Sequence, residues 1–208
     1  FGNSVIVSSI SLISILFLSS LLAYGITRFN SRFGNLIFLI TLGGMALSEQ
    51  VALVPLYKIL QATHLYNTYW AVILPYVAFR IPFTVFLMRA YFMCIPKELE
   101  EAAVIDGATM GTTFRKIVVP MAKNTTMTVL TYNFVFVWNE FTYANTFISS
   151  SDMKTLPIGL NDFVGQFGRV DWGSTFAAIV ISILPTLIVY FILNRNIIEG
   201  MAAGAVKS

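Results

Sequence analysis

The chain has a single cysteine, Cys94, and a single histidine, His64, in 208 residues. One cysteine excludes an internal disulfide framework and a cysteine-ligated metal cluster. One histidine leaves no His-Glu-x-x-His pair, and there is no Ser/His or paired-Asp constellation either, so an intramembrane enzyme has no chemistry to run on. No Gly-rich Walker-type loop is present, so the sequence offers no nucleotide-hydrolysing site of that kind. Charge is scarce as well. Charged residues make up 11% of the sequence against 57% hydrophobic ones, where a soluble domain carries about a quarter charged residues. The chain opens Phe1-Gly2-Asn3-Ser4 with no initiator Met and no basic leader, which gives a signal peptide little support. Repeats of 20–50 residues and low-complexity tracts are also lacking.

What is present is long apolar sequence. Five segments, at about residues 4–26, 35–57, 68–92, 117–138 and 174–193, each approach the ~20 residues an α-helix needs to cross the hydrocarbon core. Their apolar runs are continuous rather than alternating, which selects helices over a barrel. The expectation is an all-α membrane protein forming one domain over residues 1–208. The abrupt apolar start also leads us to expect a further span ahead of Phe1.

Basic residues fix an orientation. Alternate connections hold Arg28 and Arg32, then Arg89, Lys97, Arg115, Lys116 and Lys123, then Arg195 and Lys207, while the other side holds Lys58, Lys154 and Arg169. The richer side is expected to be cytoplasmic, with the C-terminus on it. The connection at about 141–173 then faces outward, and loops of that length are usually functional or disordered.

A polar island stands out at about 96–116. Pro96 breaks the preceding span, and Lys97-Glu98-Leu99-Glu100-Glu101-Ala102-Ala103 reads as a new helix with carboxylates in its first turn, where the free N–H groups and the dipole favour them. Leu99, Ala102 and Ala103 fall at i, i+3 and i+4 on one small, mildly apolar face. Gly107 permits a sharp turn. A plain solvated connection with capping acids accounts for the carboxylates; a docking surface for a soluble partner accounts also for the small residues.

Glu101-Ala102-Ala103-x3-Gly107-x9-Ile117-x2-Pro120 resembles the signature cytoplasmic loop of permease subunits in binding-protein-dependent ABC importers, with Val119 where that pattern usually has Leu. Pro55-Leu56-Tyr57, Leu74-Pro75-Tyr76, Ile95-Pro96-Lys97-Glu98-Leu99, Trp138-Asn139, Thr155-Leu156-Pro157 and Gly204-Ala205-Val206-Lys207 are similar to the carbohydrate, maltose-type branch. The resemblance covers almost the whole chain. It implies a type I importer permease bundle, with five of six spans in this chain, in a bacterial-type cytoplasmic membrane. It also implies a coupling helix that docks on an ATP-binding subunit through Glu98, Glu101, Ala102, Ala103, Asp106 and Gly107. The partners implied are a second permease, two ATP-binding subunits and an extracytoplasmic substrate-binding protein, with the lipid bilayer as solvent and no nucleic acid. The implied cofactors, ATP and magnesium, sit on the ATPase and not on this chain. The cargo implied is a sugar or oligosaccharide.

Glu49 and Gln50 lie mid-span, where a carboxylate needs a partner or a water-filled path. They are read as translocation-path residues or as a buried structural pair, with Arg80 as a compensating charge. Asn124, Thr128 and Thr131 form a polar stripe at i, i+4 and i+7 that suits sugar hydroxyls or helix–helix contacts. Asn161, Asp162, Gln166 and Trp172 in the outer connection are read as contacts for the binding protein; Trp138, Tyr143 and Trp172 otherwise mark the membrane interface. The competing class is an ion- or proton-coupled secondary transporter of small polar solutes using Glu49 and Arg80. Such a carrier has no need of the Glu-Ala-Ala connection, and usually has a larger chain or internal repeats.

Overall fold

A computed structural model describes residues 1–28, 32–163 and 172–205. Among them the regular structure is helical: α1 Gly2–Arg28, α2 Arg32–Gly44, α3 Glu49–Ala62, α4 Trp70–Cys94, α5 Lys97–Ile105, α6 Met110–Thr113, α7 Val119–Met121, α8 Lys123–Trp138, α9 Thr142–Phe147, α10 Leu156–Gly159 and α11 Trp172–Ala205. Three of them are long and apolar enough to cross a bilayer, Gly2–Arg28, Trp70–Cys94 and Trp172–Leu193. These match the first, third and fifth expected spans.

The other two expected spans are modified. Residues 35–57 do not form one rod: α2 and α3 meet at 97° across a short break. Gly43-Gly44 ends α2 in a run of turns, Met45 N–H to Leu42 O at 2.9 Å and Ala46 N–H to Gly43 O at 3.1 Å. Two consecutive glycines are poor helix formers, and Glu49 opens the next helix where the dipole welcomes an acid. Glu49 is therefore at a helix start, at the break of this bent pair. Gly44 also lies tight against α4, since a Cβ there would sit 3.2 Å from the Pro82 ring. Residues 117–138 are likewise interrupted. A π-helical turn, Phe114–Val118, runs into α7, and Ala122 (φ −79°, ψ 9°) separates α7 from α8. The 16 residues of α8 extend about 24 Å.

The bundle is built on the seam between α1 and α4, its most extensive helix pair. The buried stripe of α1 is Ser4, Ser8, Ser11, Ile15, Ser19 and Ala23, spaced three and four apart. Small side chains on this stripe let the backbones approach closely, as helices in lipid require. Against it α4 buries Ala71, Val72, Val85, Met88 and Phe92. Helix α8 packs on both, tied by the buried bond from Asn133 Nδ2 to Thr84 Oγ1 at 3.0 Å. Helix α11 lies along α8, where buried Trp138 donates from Nε1 to Ser182 O at 3.0 Å. Trp138 and Tyr143 are thus core residues, 3% and 2% exposed, and not interfacial anchors. Trp172 and Trp70 remain exposed.

The Asn3 end of the bundle is laced by amide side chains. Asn67, held at φ 58°, accepts from Ser149 N at 2.8 Å and Ser150 N at 2.9 Å and donates to Ser150 Oγ at 2.7 Å. Asn is one of the few residues that tolerate this left-handed conformation. Asn67→Ala removes the acceptor for two N–H groups and the tolerated conformation together, a loss of about 2–3 kcal/mol. We expect the purified variant to unfold several degrees below wild type in a detergent thermal-unfolding assay; an unchanged midpoint would contradict this role.

Candidate functional site

The polar island folds as a helical hairpin. Pro96, with φ −57° and ψ 133°, stands immediately before α5 and ends the run of α4. At the far end the chain reverses at Gly107, whose φ is +82°. Gly107 N–H reaches Val104 O at 3.0 Å and Ala108 N–H reaches Ala103 O at 2.9 Å. This pair of bonds is the Schellman arrangement, which satisfies the last carbonyls of the helix and calls for glycine at the left-handed position. Nothing lies within 4 Å of a Cβ placed there, so the requirement is conformational and not steric. Thr109 then caps α6, its hydroxyl accepting from Thr112 N at 3.3 Å.

The hairpin has one side toward the bundle and one side free. Ala103 is buried and the Glu100 side chain is 12% exposed. Glu98, Glu101, Ala102, Asp106 and Gly107 are all exposed, as are Leu99, Val104 and Ile105. The expected common face of Leu99, Ala102 and Ala103 is therefore split: Ala103 turns inward while Leu99 and Ala102 stay out. The free side combines three carboxylates with small and aliphatic groups, Ile105 being 85% exposed. A cleft of about 530 Å³ opens beside it, lined by Tyr24, Arg28, Glu100, Glu101, Val104 and Met110 among others.

Glu100 anchors this arrangement. Its Oε1 lies 2.5 Å from Arg28 Nη2, and its Oε2 accepts from the Tyr24 hydroxyl at 2.9 Å. Arg28 Nη2 also donates to Ile95 O at 3.0 Å. The Tyr24 ring is wedged against Phe114 and Phe92, with centroids 4.9 and 6.3 Å away. Sequence reasoning singled out Glu98 and Glu101 and passed over Glu100. The signal was available: Glu100 and Ala103 are three apart on a helix, so burying Ala103 carries Glu100 to the bundle, where a lone acid seeks a cation.

A second cluster surrounds the helix break. Glu49 and Arg80 form an ion pair, as expected from the sequence, and the guanidinium lies 3.3 Å from the centre of the Phe136 ring. Glu140, also passed over, accepts from Tyr76 Oη at 2.5 Å, Tyr143 N at 2.8 Å and Ala144 N at 3.2 Å. It thereby caps α9 and ties it to α4. Tyr143, on that short helix outside the three long apolar ones, donates to Glu49 O at 2.9 Å. Burial, and then the charge of Glu140, push the Tyr143 phenol up to about 12 against the opposing pull of Arg80, so it remains a donor at neutral pH. Gln50 is exposed and accepts from Ser48 Oγ at 2.6 Å.

The stripe on α8 is mostly occupied with its own helix. Thr128 donates to Asn124 O at 3.1 Å and Thr131 to Met127 O at 2.8 Å, with Thr131 buried and Asn124 and Thr128 half-buried. Asn161 is exposed and Asp162 belongs to the turn Leu160–Phe163. Trp172, at the start of α11, is exposed and stacks on Phe176 at 5.9 Å. Gln166 lies outside the described residues. Among the described residues no cluster of His, Cys, Asp and Glu could hold a metal ion.

Residues 15–202 match the family model described as binding-protein-dependent transport system inner membrane component. The chain is 42% identical over 207 residues to the Bacillus subtilis protein named "Probable ABC transporter permease protein YurM", covering 100% of this chain and 69% of that one. It is 34% identical over 206 residues to the trehalose/maltose transport system permease protein MalG of Thermococcus litoralis, covering 99% and 74%. In fold it is similar to a bacterial ABC transporter involved in the import of the acidic polysaccharide alginate, with a TM-score of 0.78, 20% identity, and 94% of this chain and 73% of that one covered. The chain belongs to the family of membrane permease components of binding-protein-dependent ABC transport systems.

Gly107→Ala tests the hairpin turn by itself. The Cβ meets open space, so the cost is the left-handed conformation, about 1 kcal/mol. The expected result is a small fall in the thermal midpoint with normal membrane insertion; a fall as large as that of a core truncation would show an unrecognised steric role.

Proposed function

We propose that this chain is the subunit through which an ATP-driven importer forms its path, paired with a second permease, for a sugar or oligosaccharide handed over by an extracytoplasmic binding protein. The observation that carries the reading is the 97–113 hairpin. It is rigidly capped at both turns, anchored on one side, and exposes Glu98, Glu101, Ala102, Asp106 and Gly107 on the other. Small side chains let a partner seat closely, and carboxylates orient it. A partner of this kind is an ATP-binding subunit, two of them per assembly, which supply ATP and magnesium and move the spans as rigid bodies when they close. The cargo reading leans on the relatives, since MalG of Thermococcus litoralis belongs to a trehalose/maltose system.

In this assembly the hairpin and the C-terminus face the cytoplasm, in line with the basic residues at Arg28, Lys97, Arg115 and Lys116. The bent pair α2/α3 and the interrupted stretch up to α8 act as the second and fourth spans of five. Glu49, Gln50, Asn124, Thr128 and Thr131 are assigned beside the path, and Asn161, Asp162, Gln166 and Trp172 to the binding protein. An ion-coupled secondary carrier is not favoured. The family is one of binding-protein-dependent systems, and the Glu49 carboxylate is engaged with Arg80.

Gly107→Pro forbids the +82° turn, because proline fixes φ near −65°. The permease should still reach the membrane, while the amount of ATP-binding subunit co-purifying with it falls at least about tenfold, which is about 1.4 kcal/mol of association. Wild-type levels of the co-purified subunit would sink the docking assignment. For the cargo, a thermal-shift screen of the co-expressed binding protein against mono-, di- and oligosaccharides should return a stabilising sugar. Stabilisation by amino acids or ions alone would overturn the sugar reading.

A further inference from the structure

We infer that α1 is a push-rod joining the docking hairpin to the outer loop, pinned by Glu100 at its cytoplasmic end and by Asn3 and Ser4 at its outer end. The inference rests on the hairpin being the docking site. Among the described residues of α5 only Ala103 is buried, and one alanine gives too little apolar contact to drag a span with it. Beside that contact and the packing of Tyr24 on Phe114, the connection is polar. Tyr24 and Arg28 stand four apart on α1, hence on one face, and each takes one oxygen of the Glu100 carboxylate. The side chains of Arg28 and Glu100 are 7% and 12% exposed, so losing either partner strands a charge out of water. The same guanidinium holds Ile95 O at the end of α4, so hairpin, α1 and α4 meet at one point.

The other end of α1 is gripped as firmly. Asn3 Nδ2 donates to Asp152 O at 2.7 Å and Lys154 O at 2.9 Å, and Asn3 Oδ1 accepts from Tyr69 Oη at 2.9 Å. Ser4 Oγ accepts from Leu156 N at 2.7 Å. The 27 residues of α1 carry both grips, about 40 Å of rod, with no Pro and one glycine, Gly25, between Asn3 and Arg28. The close-packed seam with α4 keeps it from bowing, because packed interiors transmit displacement and do not absorb it. A push on the hairpin thus arrives at residues 152–156, on the face assigned to the binding protein.

The test is a pair of spin labels at Lys97→Cys and Ser151→Cys in a Cys94→Ser background, in the full complex with its ATP-binding subunits in nanodiscs. Their distance is read without nucleotide and after trapping with ATP and vanadate. With the rod intact, the distance should hold within one helical turn, about 5 Å, between the two states. Glu100→Gln keeps volume and the Tyr24 contact but loses the charge; trapping should then shift or broaden the distance by a turn or more. Asn3→Ala, far from the hairpin, should do the same from the outer end. A shift of a turn or more in the wild-type background, or variants indistinguishable from it, would overturn the rod. A role in folding alone would lower yield without changing the trapped-state distance. Glu101→Lys separates the two readings: if the ATP-binding subunits still co-purify with it, the docking assignment fails whatever the labels report.

Discussion

The seam between α1 and α4 is the contact on which the other elements depend. In lipid no hydrophobic force draws two apolar helices together, so association rests on close packing and a few polar bonds. Ser4, Ser8, Ser11, Ser19 and Ala23 provide the closeness. Once the seam is set, α8 is located by Asn133 and Thr84, α11 by Trp138 and Ser182, and α9 by Glu140 and Tyr76. The hairpin is located last, by Arg28 at the end of α1. Each attachment adds one or two polar bonds to apolar packing in the core.

This order explains how charge is used in a chain that has little of it. Two ion pairs appear in the described residues, Arg28 with Glu100 and Arg80 with Glu49, and each sits at a discontinuity of the helices. The first lies where spans give way to the hairpin, the second where α2 gives way to α3. An ion pair withdrawn from water stabilises little in net terms but is costly to break from one side. Such pairs suit junctions that must keep one geometry while the bundle moves.

Much of the fold was legible in the sequence because a span announces itself by length and apolarity alone, as residues 4–26, 68–92 and 174–193 do. The break at 45–48 was not, since a Gly-Gly pair inside an apolar run is compatible with a packed helix as well as with a bend. Pro55, the proline in that run, does not break it either, since it sits inside α3. The hairpin was legible from Pro96, the acids and Gly107. Its inward face was not, because choosing between Glu100 and Glu101 needs the direction of the neighbouring span. Asn67 and Glu140 were invisible for a related reason: each bridges segments distant in sequence or caps a helix too short to show a period.

Cysteine crosslinking at Ala102 tests the central claim, that the free face of the hairpin receives an ATP-binding subunit. In Cys94→Ser membranes, Ala102→Cys alkylated with a thiol-reactive photocrosslinker should crosslink to that subunit on irradiation, and Ser151→Cys labelled in the same way at the other end of the bundle should not. A crosslink at Ser151 with none at Ala102 would contradict the account.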